Sequence, residues 1–316
     1  MIPLFDGHCD TIFECCAQGK HLLRENPSGH LDLKRIGPRF SPYAQFFAIF
    51  ADARGKSQEE LEDIFLTQHR RFREELGEAQ GEICHCRTAQ EAVSAFATGR
   101  AAAFLSVEGA DLLGCNLEGL RRAYDLGVRA VNLTWNRANV LSGSCVEESE
   151  RGLSSLGRQF VAEMQELGML VDVSHLSDPG FCDVMELCKR PVFASHSNAR
   201  AVLAHPRNLT DEMFLALGRN GGVAGLNCYA GFLGDDPDFD VIRRHLERFL
   251  ALDGEDHVAL GGDWDGCDVL PRGMENGIAG LLDFYEYLLQ KNFSETLLHK
   301  LYFQNLMRVV GEVCTT

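Results

Sequence analysis

A (β/α)₈ barrel is the fold class this sequence predicts, on three observations. Eight short apolar runs rich in strand formers recur along the chain, helical runs separate them, and polar groups gather where the apolar runs end. The first run, residues 1–5, stops at Asp6-Gly7. It is followed by runs at 44–51 (AQFFAIFA), 101–107 (AAAFLSV), 128–134 (VRAVNLT) and 169–174 (MLVDVS). The last three are 191–195 (PVFAS), 222–227 (GVAGLN) and 258–262 (VALGG). Most are continuous rather than alternating in polarity, as parallel strands buried on both faces require.

Helical signals fill the intervals. Ser57 followed by Glu60 is a capping-box pattern, opening a charged helix that runs to about residue 76 with Gly77 as its stop. Residues 91–98, 116–125, 157–167, 178–189 and 210–217 carry apolar side chains at i, i+3 and i+4 spacing. Helices at 239–252 and 280–289 follow, and two separate C-terminal helices are predicted at 294–303 and 305–314. Gly99, Gly127, Gly168 and Gly218 stand where helices should end. No boundary divides the chain, so residues 1–316 read as one barrel domain with C-terminal helices. An open doubly wound sheet is the competing fold. Residues 136–156 form the longest irregular connection, a candidate active-site loop.

Composition narrows the class of function. The chain is 45% hydrophobic and 24% charged, ordinary for a globular enzyme, and its net charge of −16 disfavours nucleic-acid or anionic-membrane partners. No apolar run reaches the ~20 residues needed to span a bilayer. The twelve cysteines are scattered and read as reduced thiols, and Met1 leads directly into the first run, so a cytoplasmic location is expected.

The chemistry lies in where polar residues fall. His8 and Asp10 follow the first run two residues apart and can aim at one point. Run 101–107 leads into Glu108, 169–174 into His175, 191–195 into His196 and 258–262 into Asp263-Trp264-Asp265-Gly266. In a β/α barrel these ends converge on one mouth, where the reactive groups of this fold sit. Imidazoles and carboxylates suit zinc and its neighbours, and five ligands with a shared carboxylate suit two metals ~3.5–4 Å apart. Each residue also has a plainer explanation. Glu108 before Gly109 suits a helix cap, His175 a backbone-satisfied imidazole, and Asp265-Gly266 a turn. His21, His30, His69, His245, His257 and His299 read as surface residues, and Cys84-His85-Cys86 as an edge strand. No dinucleotide-binding, P-loop or serine-elbow motif occurs at a run's end.

Asp6-Gly7-His8-Cys9-Asp10, Val107-Glu108-Gly109, Asp172-Val173-Ser174-His175, Ser195-His196-Ser197 and Gly261-Gly262-Asp263-Trp264-Asp265-Gly266 together resemble the ordered signature of the renal (membrane) dipeptidases, metallopeptidases of the amidohydrolase superfamily. The resemblance implies a barrel with two zinc ions, one held by His8 and Asp10, the other by His175 and His196, with Glu108 bridging. It implies hydrolysis of small dipeptides by a metal-bridging hydroxide, with acceptance of a D-residue at the C-terminal position left open. Asp263 would handle the proton of the attacking water and Arg207 would bind the substrate carboxylate; without the resemblance Arg207 reads as a surface residue. The chain departs where described members carry a histidine thought to polarise the scissile carbonyl, for here Leu133-Thr134 leads into Trp135-Asn136. Trp135, Asn136 and Tyr229 are therefore assigned to substrate binding. A homodimer is the assembly the family suggests. Hydrolysis of N-acyl amino acids or lactones, and a non-catalytic binding barrel, are the competing functions.

Overall fold

A computed structural model describes residues 1–315. Its strands are β1 (Ile2–Cys9), β2 (Phe40–Phe50), β3 (Ile83–His85), β4 (Ala101–Glu108) and β5 (Val128–Asn132), then β6 (Leu170–Asp172), β7 (Phe193–Ala194), β8 (Val223–Leu226) and β9 (Val258–Leu260). All pair in parallel. Eight close into a ring in the order β1-β2-β4-β5-β6-β7-β8-β9, because β2 pairs with β4 and β9 returns to β1. β3 lies outside the ring against Ala101–Ala103, so the Cys84-His85-Cys86 stretch does supply an edge strand.

The barrel is a packed core. Phe5, Phe46, Phe104 and Phe193 meet inside it with ring centroids 5.2 to 5.7 Å apart. Leu306, Val309, Val310 and Val313 of the last helix join the same cluster and close the floor. Apolar side chains fill that end of the barrel, and the ligand-type groups gather at the opposite, C-terminal end of the strands.

Local signals set the helix starts. Ser57, Thr88, Asn116, Ser154, Ser177, Thr210 and Ser294 each accept a hydrogen bond from the backbone N–H three residues on. Two departures from the sequence reading have physical causes. Thr11–Gln18 is a helix that was not foreseen; Asp10 stands at its N-cap but makes no side-chain cap bond, being turned toward the barrel axis instead. The two C-terminal helices are joined, with Glu295–His299 running through a π-helical turn, Lys300–Gln304, into Asn305–Val313. The wide turn sets buried Asn305 to donate to the carbonyls of Glu255 and Val258, which a break would forfeit.

Two histidines expected at the surface are buried, His69 at 8% exposure and His245 at 0%. His245 Nδ1 accepts from Ala199 N–H at 3.1 Å, which requires the neutral ring. Burial, helped by Arg244, holds its pKa down to about 4. A depressed folded pKa contributes stability that is present above the unfolded value and lost as pH falls through the folded one. Between pH 6.5 and 4 this amounts to roughly 3 kcal/mol. Urea unfolding at pH 7 and pH 4.5 should show a drop of at least this size, since His85, its pKa likewise held down by burial, adds to it. His245→Gln should reduce the drop by roughly 3 kcal/mol; an undiminished drop in the variant would clear His245 of the effect.

Candidate metal centre

β1 delivers the first ligands through an irregularity. Asp6 pairs with Gln45 and Cys9 with Phe47, so three steps on β1 oppose two on β2, a bulge that re-aims His8 toward the axis. Gly7 is required there, since a Cβ would lie 2.8 Å from Ser195 O and 3.2 Å from Leu260 O. Asp6, wholly buried behind the bulge, accepts from the N–H groups of His8 and Gly262, from Gln45 and from the Trp264 indole. On β4, Phe104, Ser106 and Glu108 share the inward face, which brings Glu108 to the rim. His175 follows β6 with φ +70° and Asp263 follows β9 with φ +60°, left-handed conformations that non-glycine residues adopt only where the surroundings impose them.

These residues meet. Glu108 Oε1 lies 2.8 Å from His175 Nε2 and 3.6 Å from His196 Nε2, while Oε2 lies 3.5 Å from His8 Nε2. His8 Nε2 is 3.3 Å from Asp10 Oδ2 and 4.0 Å from Asp263 Oδ1. Three groups of ligand atoms are close enough to hold an ion: His8, Asp10 and Glu108; Glu108, His175 and His196; and His8, His196 and Asp263. The second ring nitrogens are engaged behind the centre. Ser195 Oγ meets His196 Nδ1 at 2.6 Å and Asn136 Oδ1 meets His175 Nδ1 at 2.9 Å, which leaves each Nε2 facing inward.

The electrostatics are those of a site short of positive charge. Burial pushes Glu108 up to about 7 against the pull of His8, and burial also raises Asp263. Burial works against a charge on His8, yet Glu108 and Asp10 hold its imidazole well above the usual range. His175 and His196 are driven the other way by burial, with Arg207 and His8 adding to it. His8 Nε2 and Asp10 Oδ1 are buried without a hydrogen-bond partner. Orphaned ligand atoms beside crowded carboxylates are costly unless a cation compensates them.

The centre opens into a cavity of about 670 Å³ whose lining includes Asp10, Glu108, Trp135, Asn136, Tyr229 and Asp263. Arg207, read as a surface residue on its own, is 4% exposed; its Nη2 reaches within 3.0 Å of His175 Nε2 and donates to His196 O. Its guanidinium stacks over the Phe232 ring at 5.1 Å, and Tyr229 meets Phe232 edge-on.

The model of the membrane dipeptidase family (peptidase family M19) matches residues 1–316. The chain belongs to that family. An uncharacterized dipeptidase of Schizosaccharomyces pombe is 33% identical over 211 residues, 65% of this chain and 51% of that protein, so the match spans about half the length of the curated relative. Among solved structures, a metallopeptidase from Rhodobacter sphaeroides liganded with a phosphinate mimic of the dipeptide L-Ala-D-Ala superposes with a TM-score of 0.91 at 28% identity, covering 99% of each chain. The dipeptidase AC, also of family M19, superposes with a TM-score of 0.91 at 30% identity over 100% of this chain and 99% of its own.

Within this membrane dipeptidase family member, the residues missed in the sequence are those that hold others in place. Asn227 donates to Asp263 Oδ2 at 3.0 Å and to His196 O at 3.3 Å. Asp172 Oδ1 accepts from both Ser174 N–H and Ser195 N–H, tying the ends of β6 and β7 together. Asn227 stands at the end of a predicted strand and is visible as a polar strand end; Asp172 lies inside an apolar run and stands in the family signature with no role of its own. Trp135, where a histidine was expected from the family, packs edge-on against Phe50 at 4.9 Å. Asn136 lines the cavity, but its side-chain oxygen is committed to His175. Among the described residues no helix is long and apolar enough to cross a membrane.

Proposed function

We propose that the chain is a zinc-dependent dipeptidase acting on free dipeptides, including those with a D-residue at the C-terminal position. The observation that carries this reading is Glu108, whose two oxygens face two separate sets of ligand atoms at the base of a cavity beside a buried arginine. His8, Asp10 and Glu108 would hold one Zn²⁺, and Glu108, His175 and His196 the other. The donor set is nitrogen and oxygen, and the unpartnered His8 Nε2 and Asp10 Oδ1 are what an ion would satisfy, so the residues fit the metal. When bound, such ions supply Lewis acidity, making a water molecule nucleophilic near neutral pH and polarising a carbonyl.

The chain's own groups do the rest. Arg207 Nε is buried without a partner, and a guanidinium so placed pairs with the dipeptide's carboxylate, fixing its register. Asp263 takes a proton from the attacking water and returns it to the leaving amine, held for both tasks by Asn227. Trp135 provides a wall and one N–H, but no charge. The Rhodobacter sphaeroides relative's dipeptide mimic supports both the substrate class and the D configuration.

The test is metal content of the purified protein together with turnover of L,L and L,D dipeptides, N-acyl amino acids and lactones. Cleavage of the last two classes with dipeptides left intact would overturn the reading. Arg207→Ala should lower kcat/KM for free dipeptides roughly 10–100-fold, the size of a lost charge-assisted hydrogen bond, while sparing dipeptide amides. Equal losses on acids and amides would remove Arg207 from carboxylate binding.

A further inference from the structure

A second cavity, about 480 Å³, adjoins the catalytic one and shares Phe13 and Phe50 with it; Ala17, Ala51 and Ile64 complete its apolar wall. Its charged lining groups are Asp52, half-buried after β2, Lys56 just before the Ser57 cap and Asp63 in the helix that follows; Lys56 and Asp63 are exposed at the lip. The cavity is thus a largely apolar annex adjoining a polar site across the Phe13–Phe50 pair. Its position relative to Arg207 is set by the barrel. In the ring order β2, which ends at Phe50, stands diametrically across from β7, after which Arg207 follows. A dipeptide whose carboxylate meets Arg207 therefore extends its N-terminal residue toward Phe13 and Phe50.

We propose that this annex receives the side chain of the substrate's N-terminal residue, making the chain selective for dipeptides that begin with a bulky apolar residue. The inference rests on the dipeptidase reading and adds a substrate preference to it. Apolar walls in a wet, charged mouth reward an apolar occupant, since each methylene removed from water is a factor of about four. Trp135, packed on Phe50, extends the same wall toward the centre and gives an apolar side chain a continuous surface.

The experiment compares kcat/KM for dipeptides that differ only at the N-terminal residue: Gly, Ala, Leu and Phe. Leu and Phe should exceed Gly by about 10–100-fold. Ala17→Trp, on an exposed face of the Thr11–Gln18 helix, fills the annex from outside the centre. It should cost the Leu and Phe substrates about tenfold and leave Gly within about twofold. Thr67→Trp, exposed on the facing helix, is the second variant and should act alike. A flat profile in the parent, or equal losses on all substrates in both variants, overturns the annex and leaves the dipeptidase reading standing. If no dipeptide is cleaved, that reading fails, and calorimetry with phosphinate dipeptide mimics bearing a methyl or a benzyl N-terminal side chain decides the annex separately. Tighter benzyl binding, weakened by Ala17→Trp, supports it, and equal affinity rejects it.

Discussion

Asp263→Asn is expected to keep its metal content and lose kcat by about 10²–10⁴-fold, the usual size of an acid–base contribution. The substitution is close to isosteric. Asparagine tolerates the φ of +60° that Asp263 adopts, and its side-chain oxygen can still accept from Asn227 Nδ2. Folding and the cavity should therefore survive, and the carboxylate's basicity alone is removed. Asp263 also stands with His8 and His196 in a group able to hold an ion, so two roles are distinguishable. Metal analysis and kcat measured on the same preparation separate them. Retained metal with lost turnover assigns proton transfer; lost metal makes Asp263 a ligand; near-normal turnover removes it from the chemistry.

Glu108→Gln should have a larger effect on both metal and activity. Glu108 is the carboxylate whose two oxygens touch the His8 side and the His175–His196 side at once, with Oε1 2.8 Å from His175 Nε2 and Oε2 3.5 Å from His8 Nε2. The amide preserves volume but replaces one oxygen with a donor that repels a cation. Metal per chain should fall to one or none, and kcat/KM should drop by at least about 10³-fold, since metal assistance is worth several kcal/mol. The expected loss extends to the unfolding midpoint's response to added zinc, because an ion that binds only the folded state stabilises it. A variant that keeps two ions and normal turnover would show that Glu108 is not the bridge.

Much of this site was open to reading because its parts lie at strand ends. Glu108, His175, His196 and Asp263 each close an apolar run, and a parallel barrel delivers all such ends to one mouth. The helix start at Ser57 was equally plain, since a capping serine and the N–H it serves are only three residues apart, whereas the Thr11–Gln18 helix, whose Asp10 makes no cap bond, carried no such mark. Other features had no local signature. The bulge that turns His8 inward depends on a two-strand register, and Gly7 owes its necessity to Ser195 O, a group supplied by β7's end. Arg207 and His245 occur in polar stretches that elsewhere mark the surface; here neighbouring elements bury both.

The amino-acid sequence by itself determined the alternation of strands and helices, the caps, the ligand types and their place at the strand ends. Those depend on spacings of two to four residues, which a chain carries regardless of its surroundings. Only the tertiary structure decided which orphaned atoms face one another, which asparagine steadies which ligand, and that an apolar annex opens beside the centre. Asp6 shows the reason: its carboxylate holds Gly262 N–H across 256 positions of chain, a contact that exists only because β9 returns to β1.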